Sequence, residues 1–416
     1  MNLPRHSVEA FKNFCTWMVL TEERARSLES TVRSAGAMMV KLGLPDVTKS
    51  GAVKAHMKDL LAGISMEHEP ATTATSLMLK LIIEKLIDER FPDAFIAARE
   101  KVQFIAEAVG GCRIGEVCGG GDSHGLLANN VAILEDLSAD RDDLSRVVVE
   151  AKLEHSKTGF SRHLDMAGRT RTSEINCAEI MTKYWKAAGF KLTSYMQAGV
   201  KVTRPDFWVL RVSLNGQSEA GLMQLFKALE KSKCRDAKQH LARTRIDARV
   251  RWIASGAESR EKRYINVASG PSGCAEMAEL LEALREKGFT ATLVPGPLLL
   301  ATTGGKRPAK KIMPLSTSTA FTPTKELLMR AWRELQGNDP ELDLPPGQEP
   351  KWSTHSLRRL ADTTARRYME VMGVTEDQID IYFGWHEKVL LKAMQVHYAS
   401  LSIRERMRLA RITGML

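Results

Sequence analysis

Lys351-Trp352-Ser353-Thr354-His355-Ser356-Leu357-Arg358-Arg359 opens the stretch, running on to Ser400, whose reading decides the fold. Leu357, Leu360, Ala361, Thr364, Ala365, Tyr368 and Met372 recur at three- and four-residue steps, which is the period of one apolar helix face. Ser353 or Thr354 suits the N-cap, so His355 and Arg358 share one face of the first turn. Unpaired backbone N–H groups and the positive end of the helix dipole would welcome a phosphate there. Phe383-Gly384-Trp385-His386 then introduces a second helical stretch with Val389, Leu390, Ala393 and Met394, and Tyr398 lies near its far end.

Upstream, Gly110-Gly111-Cys112-Arg113-Ile114-Gly115-Glu116 follows the apolar run 104–109. Glu116, three residues after Arg113, can fix that guanidinium by a charge-assisted hydrogen bond. Residues 147–153 and 160–166 read as two strands around the turn His155-Ser156-Lys157-Thr158-Gly159, with Lys157 at the tip. Lys152, on the same hairpin, stands as the alternative to Lys157.

In its order of motifs the chain resembles the tyrosine recombinase (phage-integrase) superfamily, over roughly residues 70–166 and 322–416. That family carries an arginine followed by an acidic residue, a hairpin lysine, His-x-x-Arg, a His or Trp after Gly, and a nucleophilic Tyr. The resemblance implies a catalytic set of Arg113, Lys157, His355, Arg358, Trp385 and Tyr398, with Glu116 supporting Arg113 and His386 able to take the Trp385 role instead. Two departures stand out. Trp385 and Tyr398 are thirteen positions apart, longer than is common in the family and similar to mobile elements of the Crypton kind. The span 170–305 between hairpin and His-x-x-Arg also far exceeds the family's minimum, which implies an insertion.

The chemistry these residue types suit is phosphodiester transesterification. Two planar guanidiniums, Arg113 and Arg358, can clamp the nonbridging oxygens as charge accumulates in the transition state. Tyr398, with an ordinary pKa of about 10, needs a proton acceptor or strong positive potential to attack phosphorus, and His355 is its expected partner. Lys157 is the expected general acid for the 5′ alkoxide, and the indole N–H of Trp385 donates into the site. The mechanism asks for no metal and no cofactor.

The expected fold is mixed and mainly α. A helical core-binding domain at 1–69, with helices at 8–20, 22–42 and 52–64, precedes an α+β catalytic domain in two parts, 70–172 and 306–416. Between them, 173–305 reads as an inserted α+β module. Its order is strand 207–214, helix 219–232, strands 248–254 and 264–268, helix 275–287, and a closing strand at 289–294 or 298–302, a ferredoxin-like pattern. The segment 231–251 is rich in Lys and Arg, which fits either contact with nucleic acid or a solvated basic face.

A formal net charge of +10 over 416 residues favours a polyanionic partner. Six cysteines without a Cys-x-x-Cys pair suggest a reducing compartment and no zinc site. Residues 1–20 lack the basic-then-apolar order of a signal peptide, and no apolar run has the length of a membrane span. The expectation is an intracellular protein found with DNA, in the nucleus if the host is eukaryotic. Lys306-Arg307-Pro308-Ala309-Lys310-Lys311 fits either an import signal or an exposed linker. Gly119-Gly120-Gly121 and Gly304-Gly305-Lys306 lack the rest of a phosphate loop.

By resemblance the function is that of a site-specific recombinase, an integrase or transposase, acting as a homotetramer on two double-stranded DNA sites with no membrane role. The rival readings are a type IB topoisomerase or telomere-resolving enzyme, and a domesticated DNA-binding protein without turnover. The amphipathic tail 403–412 is expected to dock on a neighbouring protomer.

Overall fold

A computed structural model of the chain describes residues 5–20, 28–62, 71–119, 125–153, 162–213, 220–221, 224–225, 227, 264–268, 274–302, 310–342, 348–383 and 402–416. The fold is mixed α/β and mainly helical, with antiparallel sheets. It divides into two compact units, Met1–Pro70 and Ala71–Leu416.

The first unit holds helices Arg5–Leu20, Leu28–Lys41 and Gly51–Ala62. Phe11, Cys15, Met18 and Val19 recur at helical steps and meet Leu28, Val32, Val47 and Val53 in a core of their own. The second helix stops where Gly43 takes φ of +71°, a left-handed conformation that glycine adopts without a Cβ clash. A short 3₁₀ turn, Val47–Lys49, follows, capped by Asp46, whose carboxylate accepts from the Thr48 backbone N–H at 3.1 Å.

In the second unit, strands β1 (Val131–Asp136), β2 (Val147–Leu153), β3 (Arg162–Ala167), β4 (Lys191–Gln197) and β5 (Val200–Asp206) form one five-stranded antiparallel sheet in the order β3-β2-β1-β5-β4. The β2–β3 hairpin has the expected strands, with Val149 opposite Met166 and Lys152 opposite His163. Side chains alternate across the pleat. Val131, Val149, Ala151, Leu153, Leu164 and Met166 enter the main core with helices Ala94–Ala108, Cys177–Ala188, Thr317–Leu335 and Thr354–Arg367. Ala132, Leu134, Val148, Val200 and Val202 point to the opposite face.

The sequence reading opens the inserted module at residue 173, but the chain stays in the main fold further than that. Cys177, Met181, Tyr184 and Trp185 of the Cys177–Ala188 helix are buried in the main core, and β5 pairs with β1. The separate sheet begins at β6 (Trp208–Ser213), flanked by β7 (Tyr264–Ala268) and β8 (Ala291–Pro295) in the order β7-β6-β8, all antiparallel. Helix Cys274–Glu286 packs against β6 and β8. Of the two closing strands considered, the one ending at Pro295 joins this sheet. Strand β9 (Leu300–Thr302) pairs instead with β10 (Lys310–Pro314). The expected strand 248–254 and the basic segment 231–251 lie outside the described residues, and the expected helix 219–232 is described, as helical, at only five positions.

The tail forms two short helices, Ile403–Leu409 and Arg411–Gly414. Its apolar side does not await a neighbour, as the amphipathic pattern suggested. Ile403, Met407 and Ala410 cover Ala132, Leu134, Val148, Val200 and Val202, while Ile412 and Leu416 join the main core of the same chain. The Thr413 hydroxyl accepts from the Ala167 N–H at 2.8 Å, and the Arg171 N–H donates to the Gly414 carbonyl at 2.8 Å.

Met407→Ala should therefore destabilise dilute, monomeric protein by about 2–5 kcal/mol, the cost of truncating a buried methionine. Urea unfolding at low protein concentration checks this. A loss that appears only at concentrations where the chain self-associates would contradict it.

Candidate active site

Arg113 sits where the Ala94–Ala108 helix gives way to the four-residue helix Ile114–Val117. Two glycines make the turn. Gly111 has φ of +61°, and a Cβ placed there would stand 2.3 Å from the ring of Phe383, so only glycine lets these two segments lie together. Arg113 is the N-cap of Ile114–Val117, with extended backbone, and Glu116 turns back onto it. One carboxylate oxygen of Glu116 accepts from the Arg113 backbone N–H at 2.8 Å, and the other accepts from its Nη1 at 3.1 Å.

The same carboxylate also faces the second arginine. Arg358 Nη1 stands 3.9 Å from Glu116 Oε2, and Arg358 Nη2 donates to the carbonyl of Phe383 at 2.7 Å. The side chains of Glu116 and Arg358 are 4% and 6% exposed, while that of Arg113 is 29% exposed. Arg358 is thus held from below, and Arg113 opens toward solvent. A guanidinium taken out of water needs charge and hydrogen bonds around it, and Glu116 with the Phe383 carbonyl supplies both.

Helix Thr354–Arg367 positions Arg358 through its inner face, where Leu357, Leu360, Ala361, Thr364 and Ala365 are buried. Of the two N-caps considered, Ser353 holds the place. Its hydroxyl accepts from the His355 N–H at 3.2 Å, and its own N–H donates to the Ser356 hydroxyl at 3.1 Å. His355 is exposed in the first turn, one turn before Arg358. Phe383 ends helix Glu376–Phe383, which is tied to the same scaffold twice. The Tyr382 hydroxyl donates to the Asp165 carbonyl of β3 at 2.6 Å, and Arg366 pairs with Glu376 and Asp380 as well as with Asp362.

The structure thus brings Arg113, Glu116 and Arg358 together, with His355 on the adjoining turn. Lys157, Trp385, His386 and Tyr398 lie outside the described residues. Lys152, the alternative to Lys157, is exposed on β2. Sequence reasoning gave Glu116 to Arg113 alone and missed its approach to Arg358. It also missed the Phe383 carbonyl and the need for Gly111. The adjacent glycines were the available signal, since a Gly-Gly step just before a functional residue often marks a close approach of backbone.

A second polar layer lies along the buried side of the Ala94–Ala108 helix. Arg99 pairs with Glu100 at 2.6 Å and donates to the Leu300 carbonyl at 3.0 Å. Gln103 donates to Glu107 at 2.9 Å and to the Thr324 hydroxyl at 3.0 Å. Burial pushes the Glu107 carboxyl up to about 8, against the weaker opposing pull of the Gln103 amide.

No helix among the described residues is long and apolar enough to cross a membrane. Nor does any cluster of three or more His, Cys, Asp or Glu side chains among them stand where it would hold a metal ion. Comparison with protein-family models gives no match, and comparison with curated proteins gives none either.

The raised Glu107 carboxyl has a pH consequence. Between its ordinary value of 4.5 and its folded value of about 8, the folded chain holds a proton that the unfolded chain has released, so stability falls as pH rises through that window. Glu107→Gln should remove this component, leaving the variant more stable relative to wild type at pH 8 than at pH 4.5, by a shift on the order of 4 kcal/mol. Denaturant unfolding at the two pH values measures the shift, and an equal gap at both would contradict the assignment.

Proposed function

We propose that the chain is a DNA breaking-and-rejoining enzyme of the tyrosine recombinase type, the integrase or transposase of a mobile element. The observation that carries this reading is the Arg113–Glu116–Arg358 knot, in which one buried carboxylate faces two guanidiniums from distant parts of the sequence. Two arginines on one carboxylate leave net positive charge, and the less buried of them, Arg113, is free to turn its remaining donors toward an anion.

In this reading a phosphodiester lies against Arg113 and Arg358, whose donors hold its nonbridging oxygens as charge builds on them. The Tyr398 oxygen attacks phosphorus, its proton passes to His355, and the bond to the 5′ oxygen breaks as Lys157 protonates the departing alkoxide. A 3′-phosphotyrosyl link and a free 5′ hydroxyl result. A 5′ hydroxyl from a partner duplex then reverses the step, and a second round of exchange resolves the Holliday junction. Trp385, or His386 in its place, donates to the phosphate. Double-stranded DNA is the substrate and a homotetramer on two sites is the working assembly.

The remaining architecture fits the same reading. β2 and β3 are the strands whose connection contains Lys157 in sequence. In this reading the helical unit ending at Pro70 serves as the core-binding domain that closes over DNA. The order β7-β6-β8 agrees with three strands of the ferredoxin-like pattern; the expected strand 248–254 lies outside the described residues.

DNA selected for binding from a randomised duplex pool, then rebuilt with a nick beside the cleavage point, supplies a substrate that traps the covalent adduct. Wild-type protein should accumulate it. Tyr398→Phe should bind the same DNA with affinity within about twofold, since phosphate contacts dominate binding, yet form none. An adduct in that variant would move the nucleophile elsewhere, and a chain that selects no DNA at all would remove the reading.

The proton donor is separable from the arginines by changing the leaving group. A 5′-bridging phosphorothiolate departs as a weakly basic thiolate that needs little protonation. Lys157→Ala should be crippled on ordinary DNA and recover on this substrate, whereas Arg113→Ala should recover little. Rescue of Lys152→Ala in place of Lys157→Ala would shift the donor along the hairpin.

A further inference from the structure

Immediately after the first unit ends, residues 71–75 run without helix or strand beside the entry to the Thr354–Arg367 helix, to which they are hydrogen-bonded. Four consecutive residues are bonded there. The Thr72 N–H donates to the Lys351 carbonyl at 3.1 Å, and the Thr72 hydroxyl accepts from the Lys351 N–H at 2.8 Å. The Thr73 hydroxyl accepts from Arg359 Nε at 3.2 Å. The Ala74 N–H donates to the Ser356 carbonyl, inside the helix's first turn, at 3.3 Å. The Thr75 hydroxyl donates to Asp339 at 2.8 Å while accepting from the Met78 N–H, so the far end of the segment is anchored at the start of the next helix.

We infer that residues 72–75 form a strap that positions His355 and Arg358, so that Thr72 and Thr73 are positioning residues for the cleavage reaction. The inference rests on the recombinase reading above. The grip falls on 351, 356 and 359, which bracket both functional side chains and reach them through backbone and one turn of helix. A phosphoryl-transfer site needs its guanidinium and its proton acceptor aligned on the same phosphate, and misplacement by about 1 Å costs roughly a hundredfold in rate. The strap is also the covalent continuation of the first unit.

The side-chain bonds can be removed at nearly constant shape. Thr73→Val and Thr72→Val, each in the full chain, delete one hydroxyl acceptor, and Thr73→Ser restores it. Hydrogen exchange of the amides at 354–360, measured without DNA, should quicken about tenfold in both valine variants. Adduct formation on the nicked DNA at saturation should slow about tenfold, with DNA affinity unchanged within twofold and the thermal midpoint of unfolding unmoved. Thr73→Ser should return both rates to wild type. An ordinary stabilising contact would lower the midpoint and leave the saturated rate alone, which overturns the inference. Wild-type adduct with an unaltered Thr73→Val rate overturns it as well, and leaves the recombinase reading standing. Wild-type protein that makes no adduct on any selected DNA overturns that reading, and the inference with it.

Discussion

The carboxylate of Glu116 stands between two guanidiniums, and the packing around it follows from keeping that group out of water. A buried carboxylate is tolerable only with cationic or hydrogen-bonding partners on each exposed lone pair, and a buried guanidinium has the matching requirement. Glu116 meets it by hydrogen bonds from the Arg113 side chain and backbone N–H, with Arg358 adding charge at 3.9 Å, and Arg358 donates from Nη2 to the Phe383 carbonyl while its Nη1 faces Glu116 beyond hydrogen-bond distance. Three segments distant in sequence must therefore converge within a few ångströms. Gly111 permits the closest of these approaches by having no side chain to collide with Phe383.

Around that point the second unit is built as two apolar layers on one sheet. One face of β1, β2 and β3 meets the helices that carry the arginines. The other is closed by the tail helix Ile403–Leu409, which adds ion pairs from Arg404 to Asp136 and from Arg406 to Glu150. Strands β1 and β2 are thus clamped between the core and the helix Ile403–Leu409.

The parts legible in the sequence were those whose signal is local. Ser353 and the apolar steps from Leu357 to Ala365 define the Thr354–Arg367 helix without tertiary information, because capping and a buried face are written within one element. The β2–β3 hairpin is equally local, with a turn rich in polar residues between two apolar strands. What failed was partnership. Their distance along the chain places residues 177–206 in the insertion, yet β5 pairs with β1 and Trp185 is in the main core, facts that depend on contacts no periodicity records. β1 itself went unread, since its six residues end in Glu135-Asp136 and begin next to Asn129-Asn130, which look like loop. The tail shows the same limit. Ile403 and Met407 at helical spacing announce that a face is buried but not which chain buries it. Within the site, the Arg113–Glu116 contact followed from three-residue spacing, whereas Arg358 on the same carboxylate required the fold.

In the proposed function Glu116 holds Arg113 and Arg358 so that they neutralise charge on a phosphodiester, and neutralising the phosphate itself tests this most directly. A methylphosphonate at the scissile position replaces one charged nonbridging oxygen with a methyl group, removing the charge the guanidiniums would stabilise while leaving the leaving group unchanged. Adduct formation by wild type, Arg113→Ala and Arg358→Ala is measured on both substrates. The arginine variants should lose about a hundredfold or more on ordinary DNA and much less on the methylphosphonate. Equal deficits on the two substrates would show that the arginines act only through the fold, and would contradict that role.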